Sequence, residues 1–174
     1  MDKPWVDIII GSGHDSEYVK GATEVFTACG VDCVVSVISA HRHEEQLTKH
    51  CKQVISQEAS SVIAGAGWSA TLPWIVAAKL KFALQVFGVA IKSDEFPNDT
   101  DAMLAISRMP GGCPVLFAGI GKAGFENAAL SACLGIAGRG DLISTAVKEK
   151  VAAYIKKRAS DPDDKLEEKK KEGN

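Results

Sequence analysis

Cys33-Val34-Val35-Ser36-Val37-Ile38-Ser39-Ala40-His41-Arg42 decides the fold: an apolar β-type run ends in a short polar turn, and a helical pattern follows at once. The same unit occurs earlier, where residues 6–10 form an apolar run and Gly11-Ser12-Gly13-His14-Asp15 the turn. Residues 61–64, 84–89 and 114–118 are further apolar runs without polar alternation, the pattern of strands buried on both faces. Between the runs, Val19, Ala22, Val25, Phe26 and Cys29, and then Leu47, Cys51, Val54 and Ile55, recur at helical spacing, with Gly30 placed to stop the first helix. Strand and helix therefore alternate, which predicts an α/β domain with a doubly wound parallel sheet of about five strands, right-handed crossovers and helices on both faces.

The 174 residues suit one domain, set at residues 1–158, and leave no room for separate cofactor and substrate domains. A net charge of -2 supplies no basic footprint for nucleic acid, and no run approaches membrane-spanning length. No charged segment with a long apolar run precedes the first strand, so a cytosolic location is expected. Cys29, Cys33, Cys51, Cys113 and Cys133 are odd in number, lack a Cys-x-x-Cys pair and read as free, mostly buried thiols.

Residues 123–137 carry Phe125, Ala128, Ala129, Leu130, Ala132, Cys133, Leu134 and Ile136 around more than one helical face, so the sheet alone does not cover them. Either the helix is central and buried, or a second subunit covers its far side; the second reading is preferred for so small a domain. Gly138 closes this helix and Asp141 is placed to cap another, with Ile143, Val147, Val151 and Tyr154 as its apolar stripe. Residues 159–174 hold one sizeable apolar side chain, Leu166, and read as a charged, flexible tail.

Ligands of parallel α/β sheets sit beyond the carboxyl ends of the strands, so the chemistry is sought in the turns that follow them. Ser12, Gly13 and Asp15 can meet an anion and ribose hydroxyls at a helix start, although Ser12 and Asp15 equally suit plain capping, the better reading of that turn alone. Arg42 offers a planar fork for phosphate, and His41 can exchange protons near neutrality, since an unperturbed imidazole titrates at about 6.5. Ser39 and Ala40 are small enough to let a ligand reach the backbone. His41, His43 and His50 lack a spaced set of carboxylates or thiolates, so no metal site is expected. Gly119-Ile120-Gly121-Lys122-Ala123-Gly124 formally matches a dinucleotide fingerprint, but no later strand brings an acidic partner, so no nicotinamide cofactor is expected.

Taken in order, Gly11-Ser12-x-x-Asp15, Ser39-Ala40-His41-Arg42, Ala64-Gly65-Ala66-Gly67, Leu72-Pro73, Met109-Pro110 and Ile120-Gly121-Lys122-Ala123-Gly124 resemble the N5-carboxyaminoimidazole ribonucleotide mutase family of de novo purine synthesis, from about residue 6 to about residue 137. The resemblance implies a flavodoxin-like three-layer domain, usually an octamer with sites shared between subunits, and no metal or organic cofactor. Ser12, Asp15 and Arg42 match residues that bind the ribose phosphate, and His41 matches the general acid/base. Gly13, Ser39, Ala40, Gly65, Gly67, Ser69, Ala70, Thr71 and Lys122 complete the expected substrate-binding set, with backbone donors around Gly67 expected to hold a migrating carboxylate.

The chain departs from the family pattern after the third strand. The usual Gly-Gly-Ala-Ala-His-Leu-Pro-Gly is replaced by Gly67-Trp68-Ser69-Ala70-Thr71-Leu72-Pro73-Trp74, so Thr71 stands where a second active-site histidine is usual. His14 replaces a serine, and Asp94, Glu95 and Asp99 replace mostly small residues in a loop one residue longer than usual. The expected reaction is carboxyl migration on 5-aminoimidazole ribonucleotide. Its alternatives are direct use of carbon dioxide, carboxylation or decarboxylation of another mononucleotide, or a non-catalytic nucleotide-binding oligomer.

Overall fold

The computed structural model describes residues 3–93 and 100–160. Their elements alternate as β1 (Trp5–Ile10), α1 (Ser16–Cys29), β2 (Asp32–Val37), α2 (Glu44–Ser56), β3 (Ser61–Ala66), α3 (Leu72–Lys79), β4 (Val86–Ala90), α4 (Thr100–Ser107), β5 (Val115–Ile120), α5 (Gly121–Ala137) and α6 (Leu142–Ala159). All strands are parallel, in the order β2-β1-β3-β4-β5. This is the flavodoxin-like order, whose direction reverses between β1 and β3 and leaves a crevice at their carboxyl ends.

Alternating side chains of the central strands feed two cores. Val6, Ile8, Ile10, Ile63 and Val89 pack under α1, α5 and α6 with Phe26 and Phe125. Trp5, Ile9, Val62, Ala64 and Val86 pack under α2, α3 and α4 with Leu47, Val76 and Ile106. Each fully buried large side chain is worth about 1.5–3 kcal/mol relative to exposure. Gly30 ends α1 at φ 70°, where its lack of a Cβ removes the steric penalty, and Asp141 caps α6 by accepting from Ser144 N–H at 2.7 Å.

Two expectations need correction. The outer strands are not buried on both faces: Val34 and Val37 of β2 are each 50% exposed and Leu116 of β5 53%. Each edge strand has one neighbour and incomplete helical cover, a difference that hydropathy alone does not encode. Nor does α5 need a second subunit to explain its apolar circumference, because α1, α6 and the sheet cover it within the chain and leave mainly Leu134 exposed. The expected tail beyond residue 160 and the longer loop with Asp94, Glu95 and Asp99 lie outside the described residues.

Candidate active site

The turns after β1, β2, β3 and β4 enclose a cavity of about 520 Å³ at the switch point, a size that suits a mononucleotide. Ser12 and Asp15 enter from the first turn, Ser39, Ala40, His41 and Arg42 from the second, and Gly67, Ser69, Ala70 and Thr71 from the third. These sites, remote in sequence, converge because parallel strands start every loop at the same edge of the sheet.

The first turn is held by its own side chains. Ser12 Oγ accepts from His14 N–H at 3.3 Å and Asp15 Oδ2 from Ser12 N–H at 3.1 Å, so the capping reading of this pair is realised at the cavity wall. Burial raises the Asp15 carboxyl above its ordinary value, opposed by the Ser12 N–H bond and by His14.

His41, in the second turn, is joined to the third. Its Nε2 lies 2.9 Å from Thr71 Oγ1, a hydrogen bond that joins the second turn to the third. The hydroxyl can donate to a neutral nitrogen or accept from a protonated one, so this contact orients the ring in either state. Beneath it, Lys79 of α3 bonds Glu44 and, at 2.6 Å, Thr48 of α2, tying together the two helices that follow these turns. Lys79 accordingly holds the Glu44 carboxyl below its ordinary value.

A second tie holds α2 to the sheet. Asp7, fully buried in β1, takes a 2.8 Å contact from His50 Nε2. The bond to Asp7 raises the His50 imidazole above its ordinary value, against the opposing effect of burial. His50 is thus a structural partner, not a companion of His41. Among the described residues no group of three or more His, Cys, Asp or Glu side chains converges as a metal site would require. Burial pushes the Cys51 thiol up to about 11, which removes its thiolate near neutrality.

Three expected residues do not line the cavity. Gly13 lies in the 3-10 turn beside it. Gly65 serves the core, since a Cβ there would stand 2.4 Å from Phe125 Cζ. Lys122 lies at the start of α5 and faces a separate groove of about 830 Å³ between α1, α5 and α6, 3.6 Å from Glu24. The cause is local: β5 passes directly into α5 at Gly121, φ 58°, and the first helical turn rotates Lys122 toward α1. The fingerprint-like glycines are likewise used for packing, as a Cβ on Gly124 would meet the Gly119 carbonyl carbon at 2.6 Å.

Lys92 and Ser93, after β4, line the cavity and were not expected. The rule applied to the other turns would have found them had the fourth strand been read to its true end at Ala90. Trp68 and His14 also line the cavity, whereas Trp74 does not.

A model of the AIR carboxylase family matches residues 5–160. The chain is 39% identical over 170 residues to the N5-carboxyaminoimidazole ribonucleotide mutase of Pyrococcus horikoshii, covering 98% of this chain and 89% of that one. It is 39% identical over 130 residues to the enzyme of the same name from Bacillus subtilis, covering 75% and 78%. The bifunctional purine synthesis protein purC/E of Dictyostelium discoideum is 42% identical over 130 residues, 75% of this chain but 13% of that longer protein. The fold matches the crystal structure of Treponema denticola PurE with a TM-score of 0.73 at 23% identity, over 90% of this chain and 92% of that one. With nearly its whole described length matched, the chain belongs to the AIR carboxylase family.

Proposed function

We propose that this protein moves a carboxyl group from the exocyclic nitrogen to ring C4 of a 5-aminoimidazole ribonucleotide, a step of de novo purine synthesis. The observation that carries the reading is the His41–Thr71 pair, 2.9 Å apart on the wall of a cavity that also presents Arg42 and Ser12. The relatives named as N5-carboxyaminoimidazole ribonucleotide mutase support the substrate class.

In this reading Arg42 and Ser12 take the phosphate and Asp15 a ribose hydroxyl, which sets the base beside His41. Protonated His41 gives its proton to the carbamate nitrogen. The N–C bond breaks, its electron pair stays on nitrogen, and carbon dioxide is released within the cavity. Ring C4 then attacks the carbon dioxide and forms the C–C bond. Neutral His41 removes the C4 proton, which restores aromaticity and returns the imidazolium to its starting state. One proton and one carboxyl group are exchanged, so no metal or organic cofactor is required. Backbone donors near Gly67 and the ammonium of Lys92 are suited to the migrating carboxylate.

The test is to supply N5-carboxyaminoimidazole ribonucleotide and, separately, aminoimidazole ribonucleotide with bicarbonate, and to follow the C4-carboxylated product. Product from the first substrate is expected. Product from the second alone identifies a carbon-dioxide-using carboxylase, and binding without product identifies a nucleotide-binding protein. We also propose a homo-oligomer, octameric as the resemblance implies, on the strength of the exposed Val34, Val35 and Val37 of β2. Light scattering from a stable monomer at micromolar concentration overturns it. Among the described residues no helix is long and apolar enough to cross a membrane, and a cytosolic location fits the metabolic role.

A further inference from the structure

Two features of Trp68 are unfavourable taken alone. Its φ is 56°, the left-handed region that favours glycine, and its side chain is 56% exposed. Glu58, Lys81 and Phe82 also have positive φ, but they follow the ends of α2 and α3, where a left-handed residue is an ordinary helix stop; Ala70, at φ 38°, belongs to the same turn as Trp68. Trp68 ends no helix. It is the first central residue of the turn from Gly67 to Ala70, closed by Ala70 N–H donating to Gly67 C=O at 2.9 Å. Turns with positive φ at that place take glycine without strain, and glycine is what the family pattern has there. Strain of this kind, kept at the mouth of a cavity, points to use by a ligand.

The cavity shows what that use is. On the β3 side its wall is otherwise built from Ala66, Gly67, Ser69, Ala70, Thr71 and Leu72, none of which offers a planar ring. Apart from the imidazoles of His14 and His41, Trp68 supplies the aromatic ring among the described residues lining it. Arg42 is suited to the phosphate end and His41 to the reacting atoms, which leaves the flat face of the heterocycle without a partner. An indole held on a closed turn meets that need, because stacking requires a rigid planar surface but no directional donor.

We propose that Trp68 is a specificity residue of this protein whose indole stacks on the heterocyclic base of the bound ribonucleotide. The proposal rests on the ribonucleotide reading above. It assigns a role to a departure from the family pattern that proton transfer does not use.

The experiment compares wild type, Trp68→Phe and Trp68→Gly with N5-carboxyaminoimidazole ribonucleotide as substrate and ribose 5-phosphate, which has no base, as competitive inhibitor. Trp68→Gly is expected to raise KM about tenfold, the scale of one lost base stack, and to leave the inhibition constant of ribose 5-phosphate unchanged. Trp68→Phe, which keeps a ring, is expected to hold KM within about threefold of wild type. Binding is also expected to quench tryptophan fluorescence in wild type and far less in Trp68→Phe. The retained ribose 5-phosphate inhibition shows that Trp68→Gly is folded. An unchanged KM in Trp68→Gly overturns the stacking role alone, as does an equal loss for both ligands. Dissociation of an oligomer with unchanged constants overturns it too, by placing Trp68 in a subunit contact. A wild type that neither binds nor converts the ribonucleotide overturns the functional reading and this proposal together.

Discussion

The two helical layers are built differently, and the paired His41 and Thr71 of the candidate site precede helices of only one of them. Between α1, α5 and α6 the contact is dry: Phe26, Phe125, Ala128, Ala129 and Ala132 are buried, and a Cβ on Gly21 would stand 2.4 Å from the Lys122 carbonyl oxygen. Polar ties there stay near the rim, where Tyr154 and Arg158 reach Glu126 at 3.0 Å. The layer of α2, α3 and α4 has an apolar core of its own, and α2 and α3 add polar contacts that run from the sheet outward: Asp7–His50, Lys79 with Glu44 and Thr48, then His41–Thr71. Because α2 and α3 follow the turns that carry His41 and Thr71, those ties fix the separation of these two cavity-lining side chains. The dry layer supplies rigidity, and the polar layer supplies alignment.

Breaking the comparison at its deepest polar contact gives the largest expected loss of stability. His50→Ala leaves the Asp7 carboxylate buried without its partner, a loss of about 3–5 kcal/mol. The folded-state pKa of His50 is raised from 6.5, so its stabilisation is fully present below 6.5 and declines as pH rises through the raised value. Denaturant titrations across that range should therefore show the gap between wild type and His50→Ala narrowing as pH increases. A gap independent of pH would remove the charged pair from the account.

The counterpart in the dry layer is Gly21→Ala, whose added methyl must displace the Lys122 backbone at a cost of about 1–3 kcal/mol. The Lys122–Glu24 pair beside it is exposed and contributes little, so this loss should change far less with pH than that of His50→Ala. An equally pH-dependent loss would mean that the layers are not distinct in the way their contacts indicate. The smallest effect is expected from Thr71→Val, which keeps the shape of the side chain and removes the hydroxyl 2.9 Å from His41. One lost hydrogen bond corresponds to a fall of about fivefold in kcat, with the melting temperature unchanged. An unaltered kcat would show that Thr71 does not orient His41.

Much of this arrangement is legible in the chain. Five apolar runs separated by helical patterns give the parallel sheet in order, because strand and helix periods differ and each turn is marked by small or polar residues. The first three turns converge on one cavity, Gly13 and Gly65 apart, since every loop after a parallel strand opens on the same edge. Asp7 is hard to read inside the run Trp5-Val6-Asp7-Ile8-Ile9-Ile10, yet a charge in a strand buried on both faces requires a partner, and His50 is that partner. Lys122 faces away from the cavity because its direction depends on the rotation of α5 against β5, which no motif encodes. The cover over α5 was assigned to another subunit because the reach of α6, with Val147 and Val151 buried against that core, is a tertiary fact.

In the proposed reaction one imidazole, His41, carries the proton in both halves. His41→Asn, assayed with N5-carboxyaminoimidazole ribonucleotide and paired with a direct binding measurement, tests it. The expected result is a fall in kcat of about 10²–10⁴-fold with the ribonucleotide dissociation constant essentially unchanged. Near-native kcat in that variant would contradict it.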